Sequence, residues 1–211
     1  MIDIPTDLPA ELVPLSWLIG VWEGTGVVDY KIGDGDPDAP VDGKPPAVRR
    51  THEFGQRVSF SHDGAPWLNY SSFSWELDDE RTPLASETGF WRLERPAEVG
   101  DRGPGMLPGQ GVAPYSTAQT VEILRRPDDG FGLEVQIVHP TGVNELYLGR
   151  VKGPRIDLST DAVLRSSNAK EYSAATRMYG LVENDLLWAW DVAALGQELR
   201  THASGRLARV G

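Results

Sequence analysis

The chain has 211 residues, with 31 Asp and Glu against 20 Lys and Arg, for a formal charge of −11. That balance disfavours phosphate backbones and anionic membrane surfaces as partners. It has no cysteine, so disulfides, thiolate metal sites, iron–sulfur clusters and cysteine nucleophiles are excluded together.

The acidic opening Met1-Ile2-Asp3-Ile4-Pro5 lacks a basic region followed by an apolar core, and no apolar run approaches the roughly 20 residues of a membrane-spanning helix. A soluble, cytoplasmic protein without nucleic-acid or membrane partners is expected. The first regular segment reads as a short helix, because Leu12, Leu15, Leu18 and Ile19 form one apolar stripe that Gly20 would end. From Val21 the pattern changes to short alternating runs, among them Val58 to Ser61 and Trp67 to Leu77, separated by turn clusters such as Asp63-Gly64-Ala65-Pro66. Further strands are expected at Gly89 to Glu94, Thr120 to Leu124, Gly132 to Val138, Asn144 to Val151, Arg155 to Leu158, Glu171 to Leu181, Asp185 to Ala194 and His202 to Val210. With 23 Gly, 16 Pro and 7 Trp, the chain suits an all-β protein. About ten antiparallel strands in succession close most easily into an up-and-down β-barrel, since closure removes exposed strand edges. Such a barrel can hold one small ligand. A single domain over residues 1–211 is expected, with Pro/Gly-rich hairpin insertions near 31–50 and 97–118. An exposed Trp-rich face or a free strand edge would allow a homodimer.

No pair among His52, His62, His139 and His202 has the spacing of a helical metal site. His62 precedes Asp63-Gly64 and reads as a turn residue, and His52 reads as a strand-end residue. His139, before Pro140, would point into the barrel or cap a turn. His202 begins the last strand beside Ala203, Ser204 and Gly205, whose small side chains leave space; a lone histidine there reads first as a core or rim residue, the other reading being a single imidazole that holds a planar iron porphyrin. No serine-hydrolase elbow or phosphate-binding loop is present. Glu87 stands at the start of a strand among apolar residues, where it would bond backbone donors. Glycine alternating with Trp22 in Gly20-Val21-Trp22-Glu23-Gly24-Thr25-Gly26 suits a strongly bent first strand whose Trp22 plugs the barrel end.

These residues resemble the nitrobindins, small β-barrel haem proteins similar in shape to fatty-acid-binding proteins. The resemblance is carried in order along the chain by Leu18-Ile19-Gly20-Val21-Trp22-Glu23-Gly24-Thr25-Gly26, Phe60 to Tyr70, Pro83 to Arg92, His139 to Glu145, Ala169-Lys170-Glu171, and Gly196 to Leu199 with His202 and Leu207. The two Pro/Gly-rich stretches fall outside it. The resemblance implies haem b on the histidine of the final strand, here His202. It also implies isomerisation of peroxynitrite to nitrate and binding of nitric oxide. Lys170 matches the lysine beside the cofactor and would pair with a propionate, while Gly20, Trp22, Gly24 and Gly26 would be structural. The sequence departs from the family at Ala85, where many members have a histidine, and at Val192, where many have methionine. With both residues expected on the distal side, few hydrogen-bond donors would face the bound ligand, in a mostly apolar pocket. Two other readings share the barrel. One is a haem-free carrier of a fatty acid or other apolar molecule. The other is a barrel filled by its own aromatic side chains, with His202 bonded to a backbone carbonyl.

Overall fold

The structure is a computed structural model that describes residues 8–32 and 48–210. Its ten strands are β1 (Gly20–Ile32), β2 (Val48–Ser61), β3 (Leu68–Glu76), β4 (Pro83–Leu93), β5 (Phe131–His139), β6 (Val143–Lys152), β7 (Arg155–Arg165), β8 (Tyr172–Val182), β9 (Asp185–Ala194) and β10 (Arg200–Arg209). Each pairs antiparallel with its neighbour in sequence, and β1 pairs with β10, so the sheet closes into the expected barrel. Side chains alternate between the interior and solvent, as the period of two requires. In β2, for example, Phe54, Val58 and Phe60 are buried while Glu53 and Arg57 are exposed. No helix among the described residues is long and apolar enough to cross a membrane.

One end of the barrel is plugged. The N-terminal helix, Ala10–Leu18, is a 3-10 helix, whose period of three places Leu12, Leu15 and Leu18 above one another. All three are fully buried. Gly20, at φ 132, lets the chain turn from this helix into β1 in a conformation that a side chain would resist. Two residues later Trp22 is fully buried, donates its indole N–H to the Leu18 carbonyl at 2.7 Å, and carries the Arg209 guanidinium 4.2 Å over its ring. The stretch between β4 and β5 packs at this same end, where the buried Arg95 guanidinium bonds both Glu11 and Asp101 at 2.7 to 3.0 Å. The β1–β2 connection, residues 33–47, lies outside the described residues.

The strand expected at Thr120 to Leu124 is instead a helix, α1 (Ala118–Glu122). Thr117 and Thr120 form a reciprocal capping box that satisfies the helix's first donors locally. Val121 is its buried residue, and Val121 with Leu124 reads equally well as helical i, i+3 spacing or as part of an apolar strand run.

The opposite end, open among the described residues, is less regular. β7 and β8 pair only between Arg155–Ser159 and Gly180–Thr176, and the β10–β9 register shifts between Thr201 and Ala203. His202 sits at that irregularity, where an unpaired residue can be re-aimed relative to its neighbours.

Candidate functional site

Inside the open half of the barrel lies a cavity of about 620 Å³, within the range of small-molecule sites. Its walls include Val28 and Tyr30 of β1, His52, Phe54 and Gln56 of β2, Ser72 and Ser74 of β3, Trp188 and Trp190 of β9, and His202 and Ala203 of β10. Ala85 and Glu87 of β4 and Arg177 of β8 complete it, and Lys170 reaches it from the β7–β8 connection. A smaller pocket of about 260 Å³ at the mouth shares Tyr30, Trp190 and His202 with it and adds His139 and Val192.

His202 is half-buried between these two spaces. Burial lowers its pKa below the ordinary imidazole value, the Arg200 charge lowers it further, and a backbone hydrogen bond to Asp29 opposes the shift. The ring is therefore neutral at pH 7. A ring nitrogen bonded to backbone in this way is the kind of contact that orients metal-bound histidines. Trp190 meets His202 edge-on, with ring centroids 5.5 Å apart at 88°.

Behind Trp190 an ionic network forms the cavity floor. Arg177 is buried, lies 4.3 Å from the Trp190 ring centre, and donates to Glu87 through both terminal nitrogens at 2.8 and 2.9 Å. Its Nε–H donates to Tyr147 at 3.0 Å. Glu145 accepts from the Tyr147 and Tyr172 hydroxyls at 2.5 and 2.6 Å and lies 2.7 Å from His139 Nε2. Glu87 also accepts from Tyr70 at 2.8 Å. Burial alone would raise the Glu87 pKa, but the Arg177 charge and its two hydrogen bonds bring it down to about 2. Burial likewise pushes Glu145 upward, and hydrogen bonding near His139 with the Arg177 charge reverses the shift.

His202, Lys170 and Ala85 thus line one cavity, whereas Gly20, Trp22, Gly24 and Gly26 run from the plugged end along the β1–β10 seam. A Cβ on Gly24 or Gly26 would collide with the Arg206 or Ser204 carbonyl of β10. Val192 stands on β9, the strand next to that of His202, and lines the mouth pocket rather than the larger cavity. The reading of Glu87 as a bonder of backbone donors gives way to its pairing with Arg177, which sits across the interior from it. His52 is not a strand-end residue, because four residues of β2 precede it and its position in the alternation points it inward. His139 lies at the mouth, and His62 accepts from the Gly64 N–H in its turn at 3.3 Å. The floor is ionic, so the pocket is more polar than expected. Arg177 and Trp190 escaped sequence reasoning, although Ala175, Arg177 and Tyr179 share one face of a strand and a lone arginine in that row was the available signal.

The residues present fit a haem. The cavity is large, one neutral imidazole is oriented toward it, apolar Val28, Phe54 and Ala203 flank it, and Lys170 stands at its edge. Four buried polar atoms on its lining residues have no partner among the described residues: His52 Nε2, Gln56 Oε1, Trp188 Nε1 and Trp190 Nε1. Such atoms are costly unless a ligand or water meets them.

A family described as the THAP4-like, heme-binding beta-barrel domain matches residues 11–209. The chain belongs to this family. Similar proteins include a "Peroxynitrite isomerase" of Leifsonia xyli subsp. xyli, 66% identical with 99% of each chain covered. Another of the same name, from Clavibacter michiganensis subsp. michiganensis, is 63% identical with 100% of each covered. Among solved structures, the crystal structure of Rv2717c from M. tuberculosis matches with a TM-score of 0.63 and 25% identity, covering 99% of this chain and 100% of that one. The nitrobindin resemblance of the sequence is borne out by the THAP4-like family and these relatives.

Proposed function

We propose that this family member binds haem b in the upper cavity through His202 and isomerises peroxynitrite to nitrate there, with nitric oxide as a further ligand. The observation that carries the reading is His202 itself, a half-buried imidazole whose pKa burial lowers, lining a 620 Å³ cavity. The full-length relatives named peroxynitrite isomerase support the substrate. When bound, ferric haem supplies a Lewis-acidic iron suited to O–O cleavage.

The chain's own residues then have defined tasks. His202 would hold the iron through a ring nitrogen, and the edge of Trp190 packs against its ring. Lys170 offers a cation to a porphyrin carboxylate near the mouth. Isomerisation has no net proton requirement, so a site without a general acid beside the substrate suffices. The enclosing walls would confine the substrate and limit the entry of water. Glu87 and Arg177 neutralise one another below, so neither offers a competing ligand or a free cation. That pairing also argues against the fatty-acid alternative, since the guanidinium facing the cavity is already bonded to a carboxylate.

The test is a hemin titration of wild type beside His202→Ala, followed in the Soret region. A stoichiometric ferric spectrum that the substitution abolishes is expected, together with accelerated peroxynitrite decay and a raised nitrate yield in wild type only. Hemin binding indifferent to His202 would overturn the reading.

A further inference from the structure

We propose that His52 fixes the orientation of the bound porphyrin by donating a hydrogen bond from Nε2 to one of its carboxylates, an inference that rests on the haem reading above. His52 belongs to the inward row His52, Phe54, Gln56, Val58 and Phe60 of β2. Its Nε2 is buried and has no partner among the described residues. Tyr30 packs against the ring edge-on, with centroids 5.8 Å apart at 86°, so the imidazole is already held by its neighbour.

The register sets what it can reach. Val28 of β1 stands opposite His52 on one side and Ala203 on the other. His52 and His202 are therefore nearly level, two strands apart on one wall, or about 10 Å by the usual strand spacing. Two imidazoles projecting from the same wall cannot lie on opposite faces of one plane, which excludes bis-histidine ligation by this pair. A planar cofactor held at its centre by His202 meets His52 at its rim. The polar groups on a protoporphyrin rim are two carboxylates, and both histidines stand near the open end of their strands. The second carboxylate remains for Lys170, on a different part of the cavity edge. A charged acceptor for a buried, otherwise orphaned N–H makes a strong hydrogen bond.

The experiment compares metal-free protoporphyrin IX with its dimethyl ester, using quenching of tryptophan fluorescence in wild type, His52→Phe and His52→Gln. His52→Phe is expected to weaken the diacid about ten- to hundredfold and the ester less than about threefold. His52→Gln, which retains a side-chain N–H, should recover most of the loss. Equal losses for diacid and ester, or none for either, would overturn the proposal, the first by showing that His52 only packs. Because this readout involves no iron, it separates from the His202 test. Diacid selectivity that depends on His52, alongside hemin binding indifferent to His202, would leave the edge contact standing and remove the haem-ligand reading. Failure of wild type to bind either porphyrin would overturn the edge contact and leave the His202 reading to the hemin titration.

Discussion

The two halves of the barrel are built from the same strands and differ in what those strands place inside. Toward the plugged end, the facing row Phe60, Tyr70 and Gly89 continues into Trp91, and Phe60, Tyr70, Trp91 and Tyr179 pack with ring centroids 5.1 to 5.7 Å apart. Toward the mouth, two rows further along the same ladders, Gln56, Ser74 and Ala85 stand opposite one another. Small or polar residues there leave the space that aromatics fill below. The filled-barrel alternative therefore describes the lower half only. The Glu87–Arg177 pair marks the boundary, and a close-packed half beneath it gives the cavity a rigid floor.

The comparison breaks most severely if the boundary is removed. Arg177→Met leaves Glu87 and Glu145 buried without their cation, and should cost about 3 to 5 kcal/mol, read as a lower urea midpoint at pH 7. A change below about 1 kcal/mol would mean that the floor does not hold the halves together.

A smaller effect follows from acid. With its pKa held at about 2, Glu87 contributes stability that is fully present above the ordinary carboxylate value of 4.5 and is lost as pH falls through about 2. Wild type should therefore lose stability progressively below pH 4.5 in urea melts. In Arg177→Met the sign reverses, because burial then dominates and raises the carboxyl pKa. That variant should gain stability relative to its neutral-pH value as the carboxyls protonate, and parallel acid profiles would contradict the assignment.

Much of this architecture was legible beforehand, for reasons visible in particular residues. The alternation Tyr70, Ser72, Ser74 and the turn at Asp63-Gly64 specify strand and hairpin locally, so the barrel followed from period and closure. His202 and Lys170, far apart in the sequence, line one cavity. What stayed hidden was pairing over long distance. Glu87 and Arg177 are 90 positions apart, and no local pattern tells a buried carboxylate which cation faces it. His52 was obscured differently, since the Arg49-Arg50-Thr51 before it reads as the end of an insertion while β2 extends back to Val48.

The mildest way to sharpen the comparison is to make the upper half resemble the lower. Ser74 is buried between Gln56 and Ala85 and lines the cavity, so Ser74→Phe adds an aromatic ring where the row beneath already has them. An open cavity can accept that volume with little strain, unlike a close-packed core, where overpacking costs about 1 to 3 kcal/mol. The melting temperature should thus change by only a few degrees, while hemin affinity falls at least about tenfold, equivalent to roughly 1.4 kcal/mol. Loss of stability without loss of affinity would show that this row is packed core. The reverse pattern would show that the small side chains of Ser74 and Ala85 exist to leave room for a ligand.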